Sequence, residues 1–245
     1  MPLGASITYG LASSEGNGYR KALRDMLVNP PGLNQGGHST QSGNKVNMVG
    51  SRQAGTMKDN DVEGWSGFRV EEVHQKAMAD ESAPKYKPNV VLINAGTNDA
   101  MQNFNVSTAG ERMEAMLRDL WSVSPRALIV LSTLLVNQDE AAERNVLTIN
   151  SQYRALIDRL RHKERRRIVL AEMHNSNGPT LADLVDGIHP NDDGYIKMAK
   201  IWYDSLRLAS SKGLLAPPED VPGLPDDGEA EQQGVAGLDE EAEDY

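Results

Sequence analysis

Asn89-Val90-Val91-Leu92-Ile93-Asn94-Ala95-Gly96-Thr97-Asn98-Asp99 places four consecutive apolar side chains ahead of a glycine turn. A strand with one wet face alternates apolar and polar residues, so an unbroken run fits a strand covered on both faces, as in a parallel sheet. Apolar runs also occur at Ala127 to Leu131 and Ile168 to Leu170, Val46 to Val49 reads as a short strand ending at Gly50, and Met1 to Gly4 has the length of a strand end only. Helical stripes lie between them. Tyr19 to Val28 stops at Asn29-Pro30-Pro31, and Val70 to Met78, Glu111 to Trp121, Glu140 to Arg161 and Tyr195 to Leu206 repeat apolar residues at helical spacing. Gly32 to Asn44 and Gly55 to Ser66 read as loops. Five strands separated by helices predict an α/β fold: a three-layer α/β/α sandwich around a five-stranded parallel sheet. Functional sites in such sheets form at the carboxyl ends of the strands, which is where Ser6 and Asn98 fall.

The acidic balance of the chain has a location. Of its 35 acidic residues eleven lie in 217–245, which holds none of the 25 basic ones, leaving 24 acidic against 25 basic residues elsewhere. The net charge of −10 therefore says nothing about the substrate of the body. The body has no broad basic face, which argues against a nucleic-acid partner. Residues 1–212 are expected to form one domain and 213–245 an acidic disordered tail, rich in Pro, Gly, Glu and Asp. The absence of cysteine excludes disulfides, thiol catalysis and thiolate metal sites. No run approaches the ~20 apolar residues of a membrane helix, so no membrane partner is expected. The opening Met1-Pro2-Leu3-Gly4 shows no signal-type segment. It also leaves the first strand short, as though truncated, and an upstream segment completing it is expected.

Three fragments carry chemistry. Ser6, in Gly4-Ala5-Ser6-Ile7-Thr8, falls on a strand-to-helix turn; it is either a nucleophile or a turn serine. His189, in Asp186-Gly187-Ile188-His189-Pro190, is held out of helical geometry by the proline, with Asp186 three residues away, within reach of its imidazole. The same residues also suit a plain turn before a helix. Asn98, after Gly96-Thr97, offers a side-chain amide to a developing oxyanion, and Asp99 is expected to hold that loop. Gly67, in Gly64-Trp65-Ser66-Gly67-Phe68-Arg69, is expected to open a helix and to offer a further backbone donor, with Trp65 either lining the pocket or packing the loop. No two of the five histidines have metal-site spacing. The basic run Arg161 to Arg167 reads as a solvated helix end.

Together these residues resemble the SGNH (GDSL-type) hydrolases, with Ser6, Gly67, Asn98 and His189 matching the four residues that name them. Met1-Pro2-Leu3-Gly4, Gly18-Tyr19-Arg20, Met48-Val49-Gly50-Ser51, Asp59-Asn60-Asp61 and Glu63-Gly64-Trp65-Ser66-Gly67 look more narrowly like carbohydrate esterase family 3, which includes acetyl xylan esterases. The resemblance covers roughly residues 1–210. It implies a flavodoxin-like sandwich with strand order 2-1-3-4-5, a Ser6–His189–Asp186 triad, and an oxyanion hole built from the Ser6 and Gly67 N–H groups and the Asn98 amide. It implies no metal or organic cofactor. Ala5 stands where the family usually has Asp, which leaves the first block less rigid.

The expected function is a serine esterase removing acetyl or another short acyl group from a small molecule or a polysaccharide such as xylan. A lipase, lysophospholipase or thioesterase of the same superfamily is the alternative, and an inactive carbohydrate-binding module is another. Secretion is expected from the family only, and cytoplasmic residence otherwise.

Overall fold

The computed structural model describes residues 1–31 and 44–229. In chain order the elements are β1 (Pro2–Gly4), α1 (Ser6–Tyr9), α2 (Arg20–Val28), β2 (Arg52–Gln53), β3 (Asp61–Gly64), α3 (Val70–Ala77), α4 (Ala83–Tyr86), β4 (Val90–Asn94), α5 (Thr97–Met101), α6 (Ala109–Val123), β5 (Leu128–Ser132), α7 (Glu140–His162), β6 (Ile168–Ala171) and α8 (Asp192–Ser211). The strands form one sheet in the order β2-β3-β1-β4-β5-β6. All neighbouring pairs are parallel except β2 with β3. The five parallel strands thus follow the expected 2-1-3-4-5 order, and a short antiparallel strand adds a sixth at the edge.

The alternation hidden in the apolar runs decides the layers. Val91 and Ile93 of β4 turn to one face, where they join Val73 of α3, Met113 and Leu117 of α6 and Ile149 of α7. Leu92 turns to the other, with Leu23 of α2 and Met198 and Trp202 of α8. Both faces are dry, so the run needed no polar positions. Among the described residues no helix is long and apolar enough to cross a membrane.

Two expectations fail on one segment. Val46 to Val49 is not a strand, and the second parallel strand is Asp61–Gly64, inside the expected loop Gly55 to Ser66. The backbone groups of 46–49 are bound elsewhere: Val46 O accepts from Arg24 and from Gly228 N, and Met48 N donates to the Asp59 carboxylate. In β3 a fully buried Glu63 sits where an apolar residue is the usual choice. It is satisfied by Ser51 N (2.9 Å), Ser51 Oγ (3.0 Å), Trp65 Nε1 (2.6 Å) and Ser82 Oγ (2.7 Å). A buried carboxylate with four donors is tolerated, but nothing in the local sequence announces them.

The expected loop Gly32 to Asn44 lies outside the described residues apart from Asn44. The expected disordered tail is corrected over 213–229, which lies against the body. Leu224 packs on the core, the carbonyls of Ala216, Pro218 and Pro225 accept from Asn89, Arg126 and Asn47, and Asp227 and Glu229 pair with Arg24. Acidic composition argued for a solvated chain, but the Arg24 guanidinium, only 5% exposed, gives these carboxylates a partner held in place by Asp59. Residues 230–245 lie outside the described part.

β1 occupies the middle of the sheet with three residues, all buried, and pairs on both sides. Leu3→Ala removes a fully buried side chain from this position. It is expected to lower unfolding stability by about 2–5 kcal/mol, read as a shift in the urea midpoint at unchanged slope.

Candidate active site

β1 ends at Gly4, and Ser6 is the first residue of α1. The strand runs so close to β4 that a Cβ at Gly4 would lie 2.1 Å from the Asn94 carbonyl oxygen, so only glycine fits there. Ser6 is thereby lifted to the carboxyl edge of the sheet. Ala5 gives α1 no side-chain cap, and the Ser6 N–H, in the first turn, has no acceptor among the described residues.

Ser6 Oγ lies 2.8 Å from His189 Nε2, although the two are 183 residues apart in sequence. His189 Nδ1 lies 2.7 Å from Asp186 Oδ2, while Asp186 Oδ1 accepts from His189 N (2.8 Å) and Ile188 N (3.1 Å). Burial pushes the Asp186 carboxyl up. The hydrogen bonds from the His189 and Ile188 backbone and the His189 ring outweigh this and hold it below the usual carboxylate range. The turn closes through Val185 N to His189 O (2.9 Å) and needs a left-handed residue at Gly187 (φ +82°), where a Cβ would meet Gln138. Gln138 N donates to Gly187 O, bracing the turn from the β5–α7 connection.

The other expected donors follow β3 and β4, the two strands that flank β1. Asn98 lies in the first turn of α5 and donates through Nδ2 to Phe68 O (2.8 Å); an amide nitrogen carries two hydrogens, so one remains for another acceptor. Gly67 does not open a helix: it lies in a turn closed by Phe68 N to Trp65 O, three residues before α3. Its φ of +83° and the open space around it leave its N–H without an acceptor among the described residues. Trp65 packs the loop, with Arg52 over its ring at 4.6 Å, Lys76 at 4.3 Å and its N–H on Glu63.

A model of the GDSL-like lipase/acylhydrolase family matches residues 3–196. The chain belongs to this family. A multidomain esterase of Ruminococcus flavefaciens is 29% identical over 97% of this chain, which spans about a third (32%) of that protein's length. Among solved structures, a family 3 carbohydrate esterase of Clostridium thermocellum superposes with a TM-score of 0.69 at 22% identity, over 86% of this chain and 96% of the other. A family 3 carbohydrate esterase of Talaromyces cellulolyticus gives 0.67 at 21% identity, over 85% and 96%. The fold is the SGNH hydrolase fold.

In this member of the GDSL-like family the segments that carry Gly67 and Asn98 are locked together by a network that the sequence did not announce. Asp99, fully buried, accepts from Val70 N at the start of α3 (3.1 Å) and from Arg112 of α6. Arg112 also binds Glu71 (2.5 Å) and the Asn105 carbonyl (3.0 Å). Burial raises the Asp99 carboxyl above its ordinary range despite the guanidinium beside it. Asp99 holds the loop, as expected; Arg112, thirteen residues on, carried no local signal.

Two of the other histidines pair with carboxylates elsewhere in the fold. His74 pairs with Asp119 (2.9 Å) and His174 with Glu143 (2.7 Å), while His38 lies outside the described residues. Among the described residues no group of three or more side chains suited to a metal gathers.

The segment leading to Asp186 is anchored by Asp183. Hydrogen bonds from the Lys197 ammonium, then from the Thr180 N–H, hold its carboxyl down to about 2. A carboxyl depressed in the folded state adds stability above its ordinary pKa of about 4, and that contribution is lost as pH falls towards 2. Asp183→Asn is therefore expected to lower the thermal midpoint at neutral pH. The gap to the unmodified chain should close as pH falls to about 2.

Proposed function

We propose that this esterase hydrolyses acetyl or other short acyl esters of a carbohydrate by a Ser6–His189–Asp186 acyl-enzyme mechanism. The observation that carries the reading is the continuous chain from Ser6 Oγ through the imidazole to the Asp186 carboxylate, with contacts of 2.8 and 2.7 Å. In the first step Ser6 Oγ attacks the ester carbonyl while His189 Nε2 takes the hydroxyl proton. Asp186, accepting at Nδ1, fixes the tautomer and stabilises the imidazolium. Negative charge on the carbonyl oxygen is met by the Ser6 and Gly67 N–H groups and the uncommitted Asn98 amide hydrogen. Collapse breaks the bond to the alcohol, which leaves with the proton from His189. Water then attacks the acyl-Ser6, His189 takes its proton, and the acid departs as Ser6 is reprotonated.

The carbohydrate part of the proposal draws on the family 3 carbohydrate esterases of the same fold, and the R. flavefaciens esterase supports ester hydrolysis. A further structural neighbour, described as an acetyl esterase mutant with an acetate ion, has a TM-score of 0.62 and supports a small acyl group.

Ser6→Ala is expected to cut p-nitrophenyl acetate hydrolysis by at least about 10⁴-fold, and Asn98→Ala to lower kcat by about 10²–10³-fold with little change in KM. Steady-state kinetics with circular dichroism to verify folding checks both. A folded Ser6→Ala chain that keeps full activity would remove Ser6 from the mechanism.

A further inference from the structure

We infer that Arg52, with Lys76 beside it, receives a carboxylate on the sugar part of the substrate, so that the esters taken by this site belong to an acidic carbohydrate such as a polyuronate. The inference rests on the esterase reading above and adds to it the charge of the alcohol half.

Arg52, in β2, leans over the carboxyl end of β3. Its Nη1 donates to Gly64 O (2.7 Å), and its guanidinium lies 4.7 Å from the ring centre of Tyr9 and 4.6 Å from that of Trp65. Lys76, near the end of α3, brings its ammonium to 4.3 Å from the same Trp65 ring. Two rings and a carbonyl thus hold the guanidinium without neutralising it. Its Nε and Nη2 have no partner among the described residues and are not buried, so they face solvent. The contrast with neighbouring cations is sharp. Arg69 pairs with Glu72 (3.1 Å) and Arg112 with Glu71 (2.5 Å), whereas Arg52 and Lys76 meet no carboxylate among the described residues. Glu63, which accepts from the Trp65 N–H, is already taken up by its four donors.

These cations stand next to the reacting groups. Tyr9 and Ser6 are three residues apart in α1 and share one face, with Cβ atoms about 5–6 Å apart. Gly64 packs directly on that helix, since a Cβ there would lie 2.8 Å from Tyr9 N. Trp65 N donates to Gly4 O (3.0 Å), and Gly67 follows two residues later. Phe68, stacked on Trp65 at 5.6 Å, holds the Asn98 amide through its carbonyl. The guanidinium is therefore on the order of 10 Å from Ser6. An acetyl or other short acyl group on Ser6 falls short of that distance. A substituent on the sugar reaches it.

The donor geometry selects the ligand. A sugar hydroxyl can accept one hydrogen from the guanidinium, but a carboxylate accepts two side by side and meets the charge as well. Because the side chain is fixed beforehand, little of its freedom is lost on binding.

The test uses one oligosaccharide in two charge states, O-acetylated oligogalacturonate and the same oligomer with its carboxyls methyl-esterified, with acetate release read for both. The unmodified chain is expected to favour the free acid in kcat/KM, and the preference to narrow in about 1 M salt. Arg52→Gln is expected to cut the preference about tenfold and Lys76→Gln about threefold, with circular dichroism verifying that each folds. Lys200→Gln, which removes an exposed cation from α8, should leave it unchanged. A role confined to holding Trp65 would slow both forms equally; that result overturns the subsite, as does equal turnover of the two forms by the unmodified chain. Calorimetric titration of the Ser6→Ala chain separates binding from chemistry, and tighter binding of the free acid is expected. If that preference appears while the unmodified chain releases no acetate, the esterase reading fails and the subsite stands. Cleavage of p-nitrophenyl acetate through Ser6, with no preference for the acid in rate or binding, leaves the esterase and removes the subsite.

Discussion

The contact between β1 and β4 at Gly4 is the constraint on which the rest of the site depends. β1 is only Pro2–Gly4, yet it lies between β3 and β4, and its last residue approaches Asn94 so closely that no side chain can be accommodated. This contact fixes where the chain leaves the sheet, and so where Ser6 is presented. β3 and β4 flank it and deliver Gly67 and Asn98 from the same edge. His189 arrives from the segment between β6 and α8, through a turn with a left-handed glycine at position 187, braced by Gln138. Backbone geometry therefore sets the distances among Ser6, His189 and Asp186, and the side chains complete the contacts.

Burial is balanced by polar networks at several places around this core. Arg20 is fully buried, and its two terminal guanidinium nitrogens donate to carbonyls of Tyr9, Gly16, Ala54 and Asn60, which ties the loop after α1 to the segment before β3, while its Nε has no partner among the described residues. Glu63 is buried among four donors, and Asp99 joins α5 to α3 and α6. Each network holds a loop at the edge of the sheet that carries the site. Loops ordered this way keep reacting groups aligned without rearrangement during turnover. The Arg24 cluster does comparable work elsewhere, holding 226–229 against the residues before β2.

Much of this was readable in the sequence because the signals are local. Val90 to Ile93, Leu128 to Leu131 and the apolar stripe of Glu140–His162 are set by side-chain periodicity, which needs no knowledge of partners. The candidate site residues stood out for a different reason: Asp186 and His189 lie within one turn, and Ser6 and Asn98 each follow a glycine at a strand end. β3 was missed because Asp61-Val62-Glu63-Gly64 has one large apolar residue, and its burial depends on Ser51, Trp65 and Ser82. Val46 to Val49 misled for the converse reason: Met48 and Val49 are buried, but the segment's backbone groups bind Arg24, Asp59 and Gly228 rather than a strand.

The sequence by itself determined the layered α/β architecture and the kinds of groups at the strand ends, because periodicity, glycine turns and proline stops act over a few residues. Only the tertiary structure decided that Ser6 meets His189 across 183 positions, that Arg112 anchors the Asp99 loop, and that 213–229 lies on the body. These depend on pairing and charge between segments far apart in the chain, and such contacts leave no period or spacing in the sequence.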